Sequence, residues 1–170
     1  MAVLTDFYTS GALFNAERTH RYQLWRAWGT GLRLGWLMMN PSTADERLPD
    51  PTIRRCLGFA HTWGFEGIEV FNVATFRTPS PDVMVAADRA GVDVFHRTER
   101  DAAIRAALPT LGRVIVAWGA CPLTCTEAPH VVGLLTGVEV MTLGRTKAGH
   151  PKHPLYARGD LQPIPWSAPC

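Results

Sequence analysis

Four short, mostly apolar runs constrain this chain more than any other feature: residues 34–39, 68–73, 114–118 and 138–143. Each is too short for a typical helix and rich in aliphatic or aromatic side chains, which is how a strand covered on both faces reads. Segments of helical period lie between them. Asp50-Pro51 supplies an N-cap and a first-turn proline. Ile53, Cys56, Leu57 and Ala60 follow at i, i+3, i+4 and i+7, and Gly64 supplies the stop. Residues 96–108, with Ile104, Ala107 and Leu108 on one side, predict a second helix. Val131, Leu134 and Leu135 predict a third that ends near Gly137, whereas Pro79 and Pro81 mark a loop. This alternation predicts a three-layer α/β/α fold with a mostly parallel, four-stranded central sheet. Residues 11–14 and 22–25 predict a hairpin across residues 15–21. The 170 residues then form a single α/β domain. Its parts are a hairpin region (1–30), a core (31–158) and a tail (159–170).

Composition narrows the function classes. Hydrophobic residues make up 46% of the chain and charged residues 19%, enough apolar surface to build a core. No apolar run approaches the ~18 residues of a membrane span, so no membrane partner is expected. Residues 1–10 lack a basic flank followed by an apolar core, so a cytoplasmic location is expected, and with it reduced thiols. Cys121 and Cys125 form a C-x3-C, and Cys56 and Cys170 are remote. This is not the spacing of a structural zinc site, and neither a metal nor a cofactor is expected. A monomer is expected. The net charge of +2 argues against a protein that coats polyanions, but Arg145, Lys147, Lys152 and Arg158, with His150 and His153, form a basic stretch without an acid between them. Such a stretch serves either to hold phosphate or as a solvated loop.

In parallel sheets, ligands bind beyond the carboxyl ends of the strands, and polar residues follow each apolar run here. After the first come Asn40, Ser42, Thr43 and Asp45: Asn40 and Asp45 can position water, and Ser42 and Thr43 can offer donors to an anion, although all four residue types also form turns. Arg54 and Arg55 stand in the first turns of the predicted helix, where anions are favoured. Asn72 ends the second run and needs a partner if buried. Arg77 can bind phosphate or pair with an acid. Trp118 ends the third run. The last loop holds His150-Pro151-Lys152-His153-Pro154-Leu155-Tyr156, whose histidines can donate to a leaving group. The nucleotide-binding glycine motifs and the G-x-S-x-G elbow are absent from the sequence, which argues against an NTPase, a classical dehydrogenase and an α/β-hydrolase.

Taken together, these segments resemble a known family. Arg21-Tyr22-x-Leu24-x-Arg26-x-Trp28, Met39-Asn40-Pro41-Ser42-Thr43-Ala44-Asp45, Asp50-Pro51-Thr52-Ile53-Arg54-Arg55-Cys56, Trp63-Gly64, Ala117-Trp118-Gly119 and His153-Pro154-Leu155-Tyr156 resemble a bacterial and phage domain of unknown function, DUF1643. The order of motifs resembles, more distantly, the uracil-DNA glycosylase superfamily, and this implies its parallel α/β/α fold. Asn40-Pro41-Ser42 is similar to an Asn-Pro-Gly motif whose Asn positions the attacking water. Asn72-Val73-Ala74 is similar to a run whose Asn reads the base, and His153-Pro154-Leu155 to a His-Pro-Ser loop that enters DNA, with His150-Pro151 as a competing alignment. Ser42 replaces the glycine, and no Ser follows the His-Pro.

The resemblance implies hydrolysis of an N-glycosidic bond on a base flipped from DNA. Asn40 or Asp45 would hold water, Asn72 the base edge and His153 the leaving base. Ser42, Thr43, Arg54, Arg77, Lys152 and Tyr156 would contact substrate, and Trp63, Phe76 and Trp118 are candidates to stack on the base. The rivals are a non-catalytic nucleic-acid or nucleotide-binding module and a DNA base-modifying enzyme on the same fold.

Overall fold

The computed structural model describes residues 9–167; Cys170 and most of the segment read for a leader lie outside them. The described residues form a mixed α/β structure with a seven-stranded sheet and four α-helices. The strands are β1 (Thr9–Phe14), β2 (Arg21–Ala27), β3 (Arg33–Met38), β4 (Gly67–Asn72), β5 (Leu111–Ala117), β6 (Glu139–Thr142) and β7 (Ile164–Pro165), in the order β1-β2-β4-β3-β5-β6-β7. The four apolar runs become β3 to β6 and lie parallel. The sheet is wider than the four strands expected. The β1–β2 hairpin pairs Gly11 with Trp25 and docks antiparallel on β4, and the short β7, in the segment read as a tail, caps β6.

Both faces of the sheet are covered. Along β3, β4 and β5 the side chains alternate strictly. Leu34, Trp36, Ile68, Val70, Ile115 and Ala117 pack under α1 (Pro51–Thr62) through Ile53, Cys56, Phe59 and Ala60. Leu37, Phe71, Val73, Val114 and Val116 face the opposite side. There they meet Ile104 and Ala107 of α3 (Arg97–Ala107) and Ala128 and Val131 of α4 (Pro122–Gly133). Asp50 caps α1 by accepting from the Ile53 amide at 2.8 Å. Gly64, at φ +76°, follows the end of that helix in the left-handed conformation that glycine adopts without penalty.

Two helices differ from the sequence reading. Pro79 stays in the loop as read, but Pro81, read as a loop marker with it, opens α2 (Pro81–Arg89) at its first position, because a first-turn proline lacks only an N–H that the helix does not use. The third predicted helix, α4, begins earlier, at Pro122, and closes at Gly133, so Leu134 and Leu135 pack beyond its end.

Candidate functional site

A cavity of about 480 Å³ lies at the carboxyl ends of β3, β4 and β5. Its walls come from Met38 at the end of β3 and Met39, Asn40 and Ser42 after it, Asn72 at the end of β4, and Trp118 to Ala120 after β5. Asp50, Thr52 and Ile53 at the start of α1, Thr78, Pro79 and Pro81, Arg21 of β2, and the loop carrying His153, Leu155 and Tyr156 complete it. Beyond the sheet, the two loops at its centre stay zipped together. Val73 and Ala74 donate to the Met38 and Met39 carbonyls at 2.8 and 2.9 Å, and Thr78 donates to Pro41 at 2.9 Å.

Asn40, Asn72 and His153, from three separate segments, meet in this cavity. The Asn40 amide nitrogen donates to the carbonyls of Thr78 (2.8 Å) and Pro41 (3.1 Å). With its NH2 engaged, Oδ1 is the uncommitted atom, and it accepts no hydrogen bond among the described residues. Asn72 is buried, and its Oδ1 accepts from Arg21 Nη2 at 3.3 Å. That bond sets the amide so that its NH2 is the end left for the cavity. His153 precedes a 3₁₀ turn at Pro154–Tyr156, and its Nδ1 accepts from the Leu155 amide at 3.3 Å. This bond assigns the neutral tautomer with the proton on Nε2. Burial lowers the pKa of the imidazole, and the nearby Asp50 carboxylate opposes that shift. Trp118 is buried and stands edge-on to Trp166, with centroids 5.3 Å apart. Tyr156 is 84% exposed at the cavity mouth.

Several expected site residues sit elsewhere. The Asp45 carboxylate accepts from the Arg47 and Leu48 amides, each at 2.8 Å, and these bonds hold its pKa below the usual carboxylate range. It closes a turn outside the cavity wall. Arg77 donates to the Ser42 and Thr43 carbonyls at 3.1 and 3.2 Å, so it fastens the loop. Thr43 therefore presents its carbonyl to Arg77, and it lies outside the wall too. Arg54 donates to Pro49 O and lines a neighbouring groove with Arg55. Lys152 bonds through its backbone to Gly144. His150 lies 3.3 Å from Cys125 Sγ and is not a wall residue, so the competing alignment falls outside the cavity. Trp63 packs on Phe59, and Phe76 stands edge-on to His20, which leaves Trp118 as the stacking candidate at the wall.

The basic stretch is largely committed. Arg145 bonds the Gly149 carbonyl at 2.9 Å and lies 4.1 Å from the Trp166 ring, and Arg158 pairs with Asp160 at 2.7 Å. Two charged wall residues, by contrast, escaped a site assignment in the sequence: Arg21, at the start of β2, and Asp50, read only as a helix cap. For Arg21 the available signal was an arginine opening a strand that is otherwise half apolar.

Residues 21–155 match the family described as Protein of unknown function (DUF1643). The chain belongs to that family. The DUF1643 match spans Arg21, Asn40, Asp50, Asn72, Trp118 and His153, and it ends at Leu155, in the cavity wall. No curated protein and no solved structure matches the chain.

Proposed function

We propose that this DUF1643 protein is a uracil-DNA glycosylase-like enzyme that hydrolyses the N-glycosidic bond of a nucleobase in DNA. The observation that supports this reading is the meeting of Asn40, Asn72 and His153 in one cavity. About 480 Å³ is a volume suited to a single small ligand such as a flipped base and its sugar. Water held by Asn40 Oδ1 attacks the anomeric carbon while the bond to the base nitrogen breaks. The departing pair of electrons stays on the base, and His153 Nε2–H donates to it. The Asp50 carboxylate, in the same wall, takes the proton released by the water. The Asn72 NH2 contacts an acceptor on the base, Trp118 flanks the ring and Tyr156 stands at the entrance.

A second reading, a nucleotide-binding module without turnover, draws on one observation. Arg21 takes one of the two lone pairs of Asn72 Oδ1, which favours the amide as a donor over a group that reads a C=O and an N–H edge together. The test is incubation with single- and double-stranded oligonucleotides carrying uracil and other modified bases, scored for abasic sites. Abasic product from the wild type, lost in Asn40→Ala and His153→Ala, supports the enzyme. No product from the whole panel, with salt-sensitive binding retained, supports the module.

A further inference from the structure

Arg21 is 3% exposed, lies at the cavity wall, and takes part in none of the ion pairs among the described residues. Its two hydrogen bonds go to uncharged oxygens, Ala44 O at 2.9 Å and Asn72 Oδ1 at 3.3 Å. Its Nε–H is buried and meets no acceptor. A buried guanidinium without a counter-charge is costly, because the charge has left water and nothing of opposite sign replaces the hydration. Arg100, which is fully buried, shows one solution. Its guanidinium is paired with both Asp101 and Glu127. Arg21 has similar burial with no carboxylate in direct contact, Asp50 acting on it only through space.

We propose that Arg21 and Asn72 form the floor of an oxyanion site, and that a phosphate or carboxylate group of a small ligand supplies the directly bonded counter-ion that Arg21 lacks. The donors suit that group. A guanidinium carries five N–H groups, of which two are used here, and the neighbouring Asn72 NH2 adds two more donors. Asp50 is the acid in the wall, and the amide of Ile53 already binds its Oδ1. Burial lowers the Arg21 pKa to about 10, the Asp50 carboxylate opposes that shift through space and Arg77 and Arg26 add to it, so the group stays charged at neutral pH. The site does not depend on glycosidic chemistry, and it would serve a nucleotide phosphate as well as a free anion.

The test is thermal unfolding of the full chain titrated with inorganic phosphate, formate or deoxyuridine 5′-monophosphate, each against sodium chloride of equal ionic strength. At ten times the dissociation constant, binding shifts the folding equilibrium about elevenfold and raises Tm by about 3–6 °C in a chain of this size. Asn72→Asp places a carboxylate beside Arg21 with the shape of the site kept, and Arg21→Gln removes the charge. Both are expected to abolish the saturable rise. A rise equalled by chloride, or one kept in Asn72→Asp with its midpoint within twofold, overturns the proposal. Where a variant does not fold, the arginine Nε–H resonances of the wild type decide: one buried resonance must move with the phosphate midpoint, and none moving overturns it. Phosphate and formate acting alike identify a bare oxyanion site, and a much tighter nucleotide identifies a nucleotide phosphate. Abasic product is not read, so the site and the proposed activity stand or fall separately.

Discussion

Lowering the pH from 7 to 4 removes about 3 kcal/mol of stability through a single side chain, His20. Its imidazole is 4% exposed and shares a 2.9 Å hydrogen bond with Thr75 Oγ1. It stacks on His96 with centroids 3.6 Å apart and planes 7° from parallel. His96 is itself held by the Tyr22 hydroxyl at 2.9 Å. Burial and the second imidazole both penalise charge on His20, while Asp93 and Glu99 only partly offset them, and its pKa falls from 6.5 to about 4. Between these two values the unfolded chain binds a proton that the folded chain refuses, so stability is full above pH 6.5 and declines as pH falls toward 4. Two and a half pH units correspond to about 3 kcal/mol, or about 6–12 °C in Tm for a chain of this length. Carboxylates that also lose stability in acid, Glu127 and Asp101 among them, are common to wild type and variant. The informative quantity is therefore a difference of differences. Urea unfolding of wild type and His20→Asn at pH 7 and pH 4 is expected to show a pH loss smaller by about 3 kcal/mol in the variant. Equal pH losses in the two proteins would refute the reasoning.

Three further perturbations test other parts of the structure. Arg100→Met strips a donor from Asp101, Glu127 and the Val73 carbonyl. It leaves buried carboxylates short of charge and is expected to cost about 3 kcal/mol, read as a lower urea midpoint. Gly11→Ala places a Cβ 2.2 Å from the Trp25 ring across the hairpin. The ring must shift, and a loss of about 1–3 kcal/mol is expected by thermal unfolding. Asp50→Ala removes the α1 cap at a cost of about 1 kcal/mol, whereas Asp50→Asn keeps the cap. If Asp50 takes a proton in the reaction, Asp50→Asn holds its Tm and still loses turnover.

Much of the framework was legible because it rests on local pattern. The four apolar runs mark β3 to β6, since strands buried on both faces have no polar side to show. Asp50-Pro51 marks the start of α1, because capping chemistry involves neighbours within three residues. The hairpin between β1 and β2 follows from two short runs across a polar turn. Pro81 misleads for the same local reason, since a proline that opens a helix and a proline that breaks one look alike without their surroundings.

What the sequence by itself determined is thus the alternating strands and helices and the sheet edge at which polar residues must gather. Only the tertiary structure decided which of those residues face the cavity. Asn40 and Asn72 reach it because β3 and β4 are adjacent and parallel, with Met38 level with Asn72. Asp45 and Arg77 stand close in sequence to those asparagines, yet their side chains are taken up by backbone groups of the loop between. Arg21 lies far from all of them in sequence and reaches the cavity because its strand docks on β4, with its guanidinium on Asn72. Short-range chemistry is visible in a sequence because its partners are neighbours. A charge buried against a distant strand is not, because its surroundings exist only once the sheet has formed.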